Sequence, residues 1–181
     1  MASPKVVNTP RELLQARPSA TTSLKTETGF GASSPKVILY MDSSSIVKLY
    51  VIEYGTVETR DAMEAPGGLV TSVVAYAEVR SALARARRAR RLQTDREFER
   101  QKQAFEADWP RYLQVVLTTE LIRTAGDFAE RHALSGFDAV HVATAASLAF
   151  SSLDEVKVST WDKRLAAAAQ AEGLSLAHEV T

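Results

Sequence analysis

The sequence contains no cysteine, and this absence excludes several classes of protein at once. Without thiols the chain has no disulfide framework, no thiolate zinc site and no cysteine nucleophile. Long apolar runs are also missing. No stretch reaches the roughly 20 residues that cross a bilayer, and the richest one, residues 139–150, is interrupted by polar side chains. The N-terminus lacks the apolar core of a signal peptide, so we expect no export, no membrane association and a cytoplasmic protein.

What is present is the composition of an ordinary globular protein. The chain has 181 residues, of which 45% are hydrophobic and 24% are charged, which indicates one domain, with or without a tail. Residues 1–36 differ from the rest, because they hold four of the six prolines and few large apolar side chains. Such a segment buries too little surface to offset its ordering entropy. We therefore expect a disordered N-terminal extension over residues 1–36 and a folded domain over residues 37–181.

Charge is distributed unevenly, although 22 basic and 22 acidic residues balance over the whole chain. Residues 80–102 carry nine basic side chains against three acidic ones. Like charges at helical spacing cost a few tenths of a kcal/mol per pair, a penalty that a polyanion or an acidic partner reverses. A merely solvated helix face is the alternative, and we favour partner binding. The arginines at this spacing are Arg85, Arg87, Arg88, Arg90 and Arg91.

From residue 37 onward, short apolar runs alternate with helical patterns. The run at residues 37–41 ends at Asp42 and is typical of a buried parallel strand. Alternation of this kind predicts an α/β fold with a parallel sheet and helices on both of its faces. Further strands are expected at 69–71, 113–117, 156–160 and 174–176, and helices at 43–50, 73–91, 94–108, 119–131, 138–150 and 163–171. Gly136 is expected to break the chain before the helix at 138–150.

Four carboxylates follow the ends of the predicted strands or open the helices beyond them: Asp42, Glu78, Asp138 and Asp162. In open α/β sheets the ligand crevice lies outside the carboxyl ends of the strands. Carboxylates gathered there repel one another unless a cation neutralises them, and oxygen ligands favour Mg²⁺ or Mn²⁺ over zinc. Such a metal activates water and stabilises phosphoryl oxyanions, which is nuclease chemistry. Asp138 and Asp162 taken singly would equally suit helix N-caps, but their joint placement favours a metal site.

Other hydrolase types lack their motifs. A haloacid-dehalogenase-like phosphatase needs a second aspartate where Ser44 stands. None of the eight glycines belongs to a phosphate-binding loop ending in Gly-Lys-Ser/Thr, and there is no Gly-x-Ser-x-Gly elbow. The carboxylate cluster therefore remains as the candidate site.

The segments around the four acids resemble the motifs of PIN-domain ribonucleases, particularly VapC-type toxins of toxin–antitoxin modules. These segments are MDSSSIVKLY at 41–50, VAYAEV at 74–79, FDAVHVATA at 137–145 and STWDKRL at 159–165. The resemblance spans about residues 37–176 and is specific through the order and spacing of the motifs. It implies a PIN-like three-layer α/β/α sandwich, Mg²⁺ or Mn²⁺ dependence, cleavage of RNA phosphodiester bonds, a homodimer and a cognate antitoxin that blocks the site. Residues 1–36 depart from the pattern of these compact toxins.

Carried over residue by residue, the resemblance assigns a role to each acid. We expect Asp42, Asp138 and Asp162 to hold the metal, and Glu78 to complete the catalytic set by orienting the attacking water. The hydroxyls of Ser44 and Thr160 are expected to orient carboxylates or metal-bound water. The five arginines named above are expected to contact RNA phosphates or the partner.

Two questions stay open at this stage. His141 lies one turn after Asp138, where it either binds metal or substrate or is a packed, hydrogen-bonded side chain, and we favour the packed role. The chain is either a metal-dependent endoribonuclease toxin, a non-toxin RNA-processing nuclease, or a catalytically degenerate PIN-like module that binds RNA or protein. Retention of all four acids favours an enzyme, because four repelling groups without a metal only cost stability.

Overall fold

The chain folds around a five-stranded parallel sheet. The computed structural model describes residues 36–64 and 67–180. The predicted disordered extension thus lies outside the described residues except for Lys36, and the domain boundary at residue 37 stays a prediction. The strands are β1 (Val37–Met41), β2 (Gly68–Ser72), β3 (Leu113–Val115), β4 (Glu155–Ser159) and β5 (Ser175–Leu176).

Seven α-helices are described, and they flank this sheet. They are α1 (Ser43–Val47), α2 (Thr56–Ala62), α3 (Val74–Arg88), α4 (Asp95–Asp108), α5 (Thr119–His132), α6 (Gly136–Ser151) and α7 (Lys163–Ala171). A single 3₁₀ turn, Trp109–Arg111, leads from α4 into β3. The predicted alternation of strands and helices is confirmed.

The helices differ from the sequence-based expectation at several points. Helix α6 begins at Gly136, which was expected to break the chain before the helix, because the Ser135 side chain caps the first turn. Helix α1 ends at Val47 and continues only as turns. Helix α3 ends at Arg88, three residues early, and Arg90 just beyond it adopts a left-handed φ of 57°. Helix α2 was not predicted at all.

A separate hydrophobic core lies on each face of the sheet. Alternate side chains of β1 point to opposite faces. Leu39 and Met41 pack with helices α1, α3 and α4, whereas Tyr40 packs with α5, α6 and α7. Both cores are deeply buried, and Tyr40 is itself 0% exposed. The molecule is therefore a three-layer α/β/α sandwich, as predicted.

The order of the strands places a crevice beside β1. The order is β3-β2-β1-β4-β5, so the chain builds outward from β1 in one direction and then crosses over to build in the other. Ligands of open α/β sheets bind at such a reversal, outside the carboxyl ends of the strands. In this sheet the reversal falls between β1 and β4, which are paired from Val37↔Glu155 to Met41↔Ser159.

Among residues 36–64 and 67–180, no single helix has both the length and the apolar character needed to cross a membrane; only α5 and α6, bent by 114° from each other, reach them as a pair.

Candidate functional site

Asp42 lies directly after β1, at the carboxyl edge of the sheet where the strand order predicts a ligand crevice. Its side chain is 3% exposed and both carboxylate oxygens accept hydrogen bonds. The Ser44 hydroxyl contacts both oxygens at 2.8 and 2.9 Å, the Ser45 amide donates to Oδ1 at 2.9 Å and the Thr160 hydroxyl donates to Oδ2 at 2.9 Å. Burial raises the pKa of Asp42 above its ordinary range, while nearby His141 and these donors reduce the rise.

The loops after β1 and β4 are joined across the crevice. Besides its bond to Asp42, the Thr160 hydroxyl accepts from the Asp162 amide at 3.1 Å, and the Trp161 amide donates to the Ser44 hydroxyl at 2.7 Å. Asp162 caps α7, because its Oδ1 accepts from the backbone amides of Arg164 and Leu165 in the first turn at 2.8 and 3.0 Å. Ser44 and Thr160 thus contact Asp42 directly, and Thr160 connects it to Asp162.

An aromatic stack supports the β4 loop from the side. The Trp161 indole stacks on the His178 ring with centroids 4.4 Å apart, and its N–H donates to the Thr59 hydroxyl at 2.8 Å. Gly55 lies against the same indole with a φ of 87°, and a Cβ at this position would overlap the ring. Helix α2, which starts after Gly55, is therefore part of the support of the site.

Asp138 lies in the first turn of α6. Its Oδ2 accepts from the Ser135 hydroxyl at 2.6 Å, and its amide donates back to Ser135 Oγ at 3.4 Å. Ser135, rather than Asp138, is the N-cap of this helix. Since α6 leads into β4 through a short loop and runs antiparallel to it, its first turns lie at the carboxyl edge of the sheet, where His141 meets Glu78.

Glu78 reaches the site through His141. The His141 ring is 1% exposed, with Nε2 2.7 Å from Glu78 Oε2 and Nδ1 2.8 Å from the Tyr40 hydroxyl. His141 is thus a packed, hydrogen-bonded side chain, as favoured from the sequence. Tyr40 was not singled out from the sequence, because within a strand of apolar residues a tyrosine is indistinguishable from core packing.

The donor chemistry of these side chains suits a hard divalent cation. Glu78, Asp138 and Asp162 each use one carboxylate oxygen in the bonds above, and the other accepts no hydrogen bond from the described residues. The hydroxyl of Ser72, buried at the carboxyl end of β2, also lacks a partner among the described residues. Free carboxylate and hydroxyl oxygens are the ligands that Mg²⁺ and Mn²⁺ prefer.

The carboxylates are nevertheless not gathered into one closed cluster. Within the described part of the chain, no three His, Asp or Glu side chains lie close enough together to hold a metal ion. Asp42 is fixed and buried, whereas Asp138 and Asp162 are half-buried at helix starts.

The predicted basic segment is divided by the structure. Arg87 is paired with Asp95, its Nε donating at 2.7 Å, and Arg91 is paired with Glu53. Arg85 donates to the Ser81 hydroxyl at 3.0 Å, and Arg88 and Arg90 are exposed and make no side-chain bond to the described residues. The arginines available to a partner are therefore Arg85, Arg88 and Arg90.

Fold and site together define an α/β protein with an acidic crevice at the switch point of a parallel sheet. The PIN domain family model matches residues 39–177. Two curated relatives in Mycobacterium tuberculosis, Ribonuclease VapC45 of strain CDC 1551 / Oshkosh and Ribonuclease VapC49 of strain H37Rv, are each 36% identical over 140 residues, covering 77% of this chain and 94% of the relative. The chain therefore belongs to the PIN domain family, and the resemblance found in its motifs is confirmed.

Solved structures with little sequence identity share the fold. A toxin–antitoxin complex from Klebsiella pneumoniae contains a chain with a TM-score of 0.56 and 16% identity, covering 78% of this chain and 99% of that one. The crystal structure of PAE2754 from Pyrobaculum aerophilum gives a TM-score of 0.52 and 17% identity, covering 78% and 84%. These likenesses confirm the architecture.

Proposed function

We propose that this protein is an endoribonuclease of the VapC type, which hydrolyses RNA phosphodiester bonds as the toxin of a toxin–antitoxin pair. One observation carries the proposal: the loops after β1 and β4 are hydrogen-bonded so that Asp42 and Asp162 flank the switch-point crevice. Membership of the PIN family and the ribonuclease names of the curated relatives support it. Action on RNA in the cytoplasm is part of this proposal.

Asp42, Asp138 and Asp162 would hold Mg²⁺ or Mn²⁺ through their carboxylate oxygens. The bound cation would acidify a water molecule and neutralise the charge that develops on the phosphoryl oxygens. Ser44 and Thr160 keep Asp42 in one orientation by donating to it from both sides. Glu78 would accept a proton from the attacking water or orient it, as a general base positioned at the crevice does.

Two kinds of protein partner belong to the proposal. A second copy of the chain would form a homodimer, and an antitoxin would block the acidic crevice, as the resemblance to VapC-type toxins implies. An antitoxin that places an arginine or lysine among these carboxylates would satisfy the charge that the metal otherwise neutralises.

Cleavage of short fluorescent RNAs by the purified protein, with Mg²⁺, Mn²⁺ or EDTA, tests the proposal. We expect metal-dependent cleavage, and we expect Asp42→Asn to lower its rate by about 100-fold or more, comparable to the loss of a main electrostatic group in other enzymes. Asp108→Asn is the matched control, because Asp108 is buried to a similar degree (2% exposed) but lies at the end of α4, where it accepts a bond from Tyr50 at 3.1 Å.

Cleavage at the wild-type rate by Asp42→Asn would refute the site. Absence of cleavage by the wild-type protein with either ion, together with tight RNA binding, would indicate the non-catalytic module instead. Normal folding of both variants is checked by their melting temperatures.

A further inference from the structure

A buried histidine connects the core of the protein to one carboxylate of the crevice. His141 Nδ1 lies 2.8 Å from the Tyr40 hydroxyl and Nε2 lies 2.7 Å from Glu78 Oε2. The three side chains come from different elements, β1, α6 and α3. Tyr40 is 0% and His141 1% exposed, whereas Glu78 is half-buried at the crevice.

The direction of the hydrogen bonds follows from the tyrosine. A tyrosine hydroxyl has an ordinary pKa of about 10 and carries its proton at neutral pH, and that of Tyr40 lies 2.8 Å from His141 Nδ1. It donates to Nδ1 of a neutral ring, which leaves the ring proton on Nε2, where it donates to Glu78. A doubly protonated ring would also donate from Nε2. Glu78 therefore receives a hydrogen bond from His141 in either state.

This bond restrains one carboxylate oxygen of Glu78 and leaves the other free to act in the crevice. Oε2 is held by the ring, while Oε1 accepts no hydrogen bond from the described residues. A free glutamate side chain loses rotamer entropy when it is ordered. A bond from a fully packed ring meets that cost during folding, before substrate binds.

We propose that His141 is a positioning residue that aims Glu78 into the crevice, and that Tyr40 sets the tautomer His141 needs for this role. The proposal rests on the proposed function and assigns His141 no contact with metal or RNA. Both ring nitrogens are already engaged, and the ring is 1% exposed.

Two substitutions of His141 distinguish a role in orienting Glu78 from a role in packing the core. In His141→Gln the side-chain amide nitrogen falls near the place of Nε2 and still reaches Glu78, whereas in His141→Asn it falls near Nδ1 and does not. Both variants remove the ring. We expect kcat for RNA cleavage to stay within about threefold of wild type in His141→Gln and to fall about 10–100-fold in His141→Asn, as for other residues that orient ligating groups. KM should change by less than about twofold in both.

If the two variants lose kcat equally, and the losses parallel the decreases in their melting temperatures, then His141 only packs the core and the proposal is wrong. A second measurement needs no His141 variant and no activity assay. Long-range ¹H–¹⁵N spectra of the wild-type protein, which has three histidines, report the tautomer of each ring. We expect His141 as the Nε2–H form, with an Nε2 proton resonance that moves upfield in Glu78→Gln.

An Nδ1–H tautomer, or a resonance that Glu78→Gln leaves unchanged, would overturn the proposal even if the protein is a ribonuclease. Conversely, an inactive wild-type protein with the expected spectrum would refute the proposed function while leaving the hydrogen-bonded chain in place.

Discussion

At the scale of single residues, Asp42 combines near-complete burial with hydrogen bonds from two hydroxyls and one amide. Transfer of a carboxylate out of water disfavours its charged form, and the donors recover only part of that loss, so its pKa is raised. A carboxylate in this state has an unfavourable environment that a divalent cation would relieve. The charged form of Asp42 therefore lowers the stability of the free protein.

The pH dependence of stability follows from this shift. A raised folded-state pKa means that the folded protein binds more protons than the unfolded chain. The contribution of Asp42 to stability is then fully present below the ordinary aspartate pKa of about 3.9 and is lost as pH rises through the folded value. An asparagine at this position would not titrate. We expect the melting temperature of Asp42→Asn, minus that of wild type in EDTA, to rise by about 2–4 °C between pH 4 and pH 7.

Thermal unfolding of both proteins at four or five pH values measures this difference. A difference that is constant with pH would mean that Asp42 has the same pKa in the folded and unfolded states. Saturating Mg²⁺ should reduce the difference, because a cation that binds only the folded wild-type protein stabilises it.

The acids of the candidate site could be predicted from the sequence. The side chains that contact them could be predicted only in part. Asp42 and Asp162 stand next to strand ends, and position relative to an apolar run is a local property. The role of Tyr40 depends on a partner 101 residues away. No local pattern distinguishes a tyrosine that donates to such a partner from one that only fills the core.

At the scale of elements, the end of α3 forms a surface that is partly neutralised. Asp95 and Glu53 pair with Arg87 and Arg91, and these exposed or half-exposed pairs contribute at most about 1 kcal/mol each. The first pair joins the start of α4 to α3, and the second joins the loop after α3 to the segment before α2; both reduce the repulsion among the arginines. The remaining arginines keep their charge available for a polyanion.

We expect the triple variant Arg85→Gln, Arg88→Gln, Arg90→Gln to weaken binding of single-stranded RNA and to reduce its salt dependence. Each phosphate contact contributes about 0.7 to the slope of log K against log salt, so up to about 2 of slope should be lost. Fluorescence anisotropy in EDTA, in an Asp42→Asn background that we expect to cleave slowly, measures both quantities. Arg87→Gln is the control, since its guanidinium is engaged with Asp95. If Arg87→Gln reduces the salt slope by as much as each arginine of the triple variant does on average, then the distinction between paired and available arginines is wrong.

Helix α2 shows where local patterns fail at this scale. Its sequence, TVETRDA, has no apolar stripe, and its buried residues are Thr56 and Thr59. It forms because Gly55 turns the chain in a left-handed conformation against Trp161, a residue more than 100 positions away. Helices with a clear apolar face, such as α7 at residues 163–171, were predicted with their observed ends.

At the scale of the whole molecule, the α/β class followed from the alternation of elements, but the strand order did not. Which strand pairs with which depends on contacts between distant segments, and similar apolar runs are interchangeable in a sequence. The structure also leaves large apolar side chains on the surface, including Phe150 at 95% and Leu153 at 103% exposure near the end of α6. These two neighbouring side chains are therefore a candidate interaction surface.

We expect the protein to be a homodimer that uses this end of α6. Burying one such side chain contributes about 1.5–3 kcal/mol. Light scattering at micromolar concentration should give about twice the chain mass of 19.7 kDa. The double variant Phe150→Ser, Leu153→Ser should shift the mass toward one chain, whereas Ile52→Ser, a similarly exposed position elsewhere, should not. A monomeric wild-type protein would contradict the dimer.

The pairing of β1 with β4 also determines when the site comes into existence during synthesis. Thr160, which holds Asp42, is separated from it by 118 positions, so at roughly 5–20 residues per second the ribosome needs about 6–24 s to add the second after the first. Throughout that interval the nascent chain carries Asp42 without the loop that orients it. A translation product that stops just before β4 would contain Asp42, Glu78 and Asp138 together with the whole of α6, yet no assembled crevice. A cell making this protein is thus exposed to the complete site only after translation has passed Asp162.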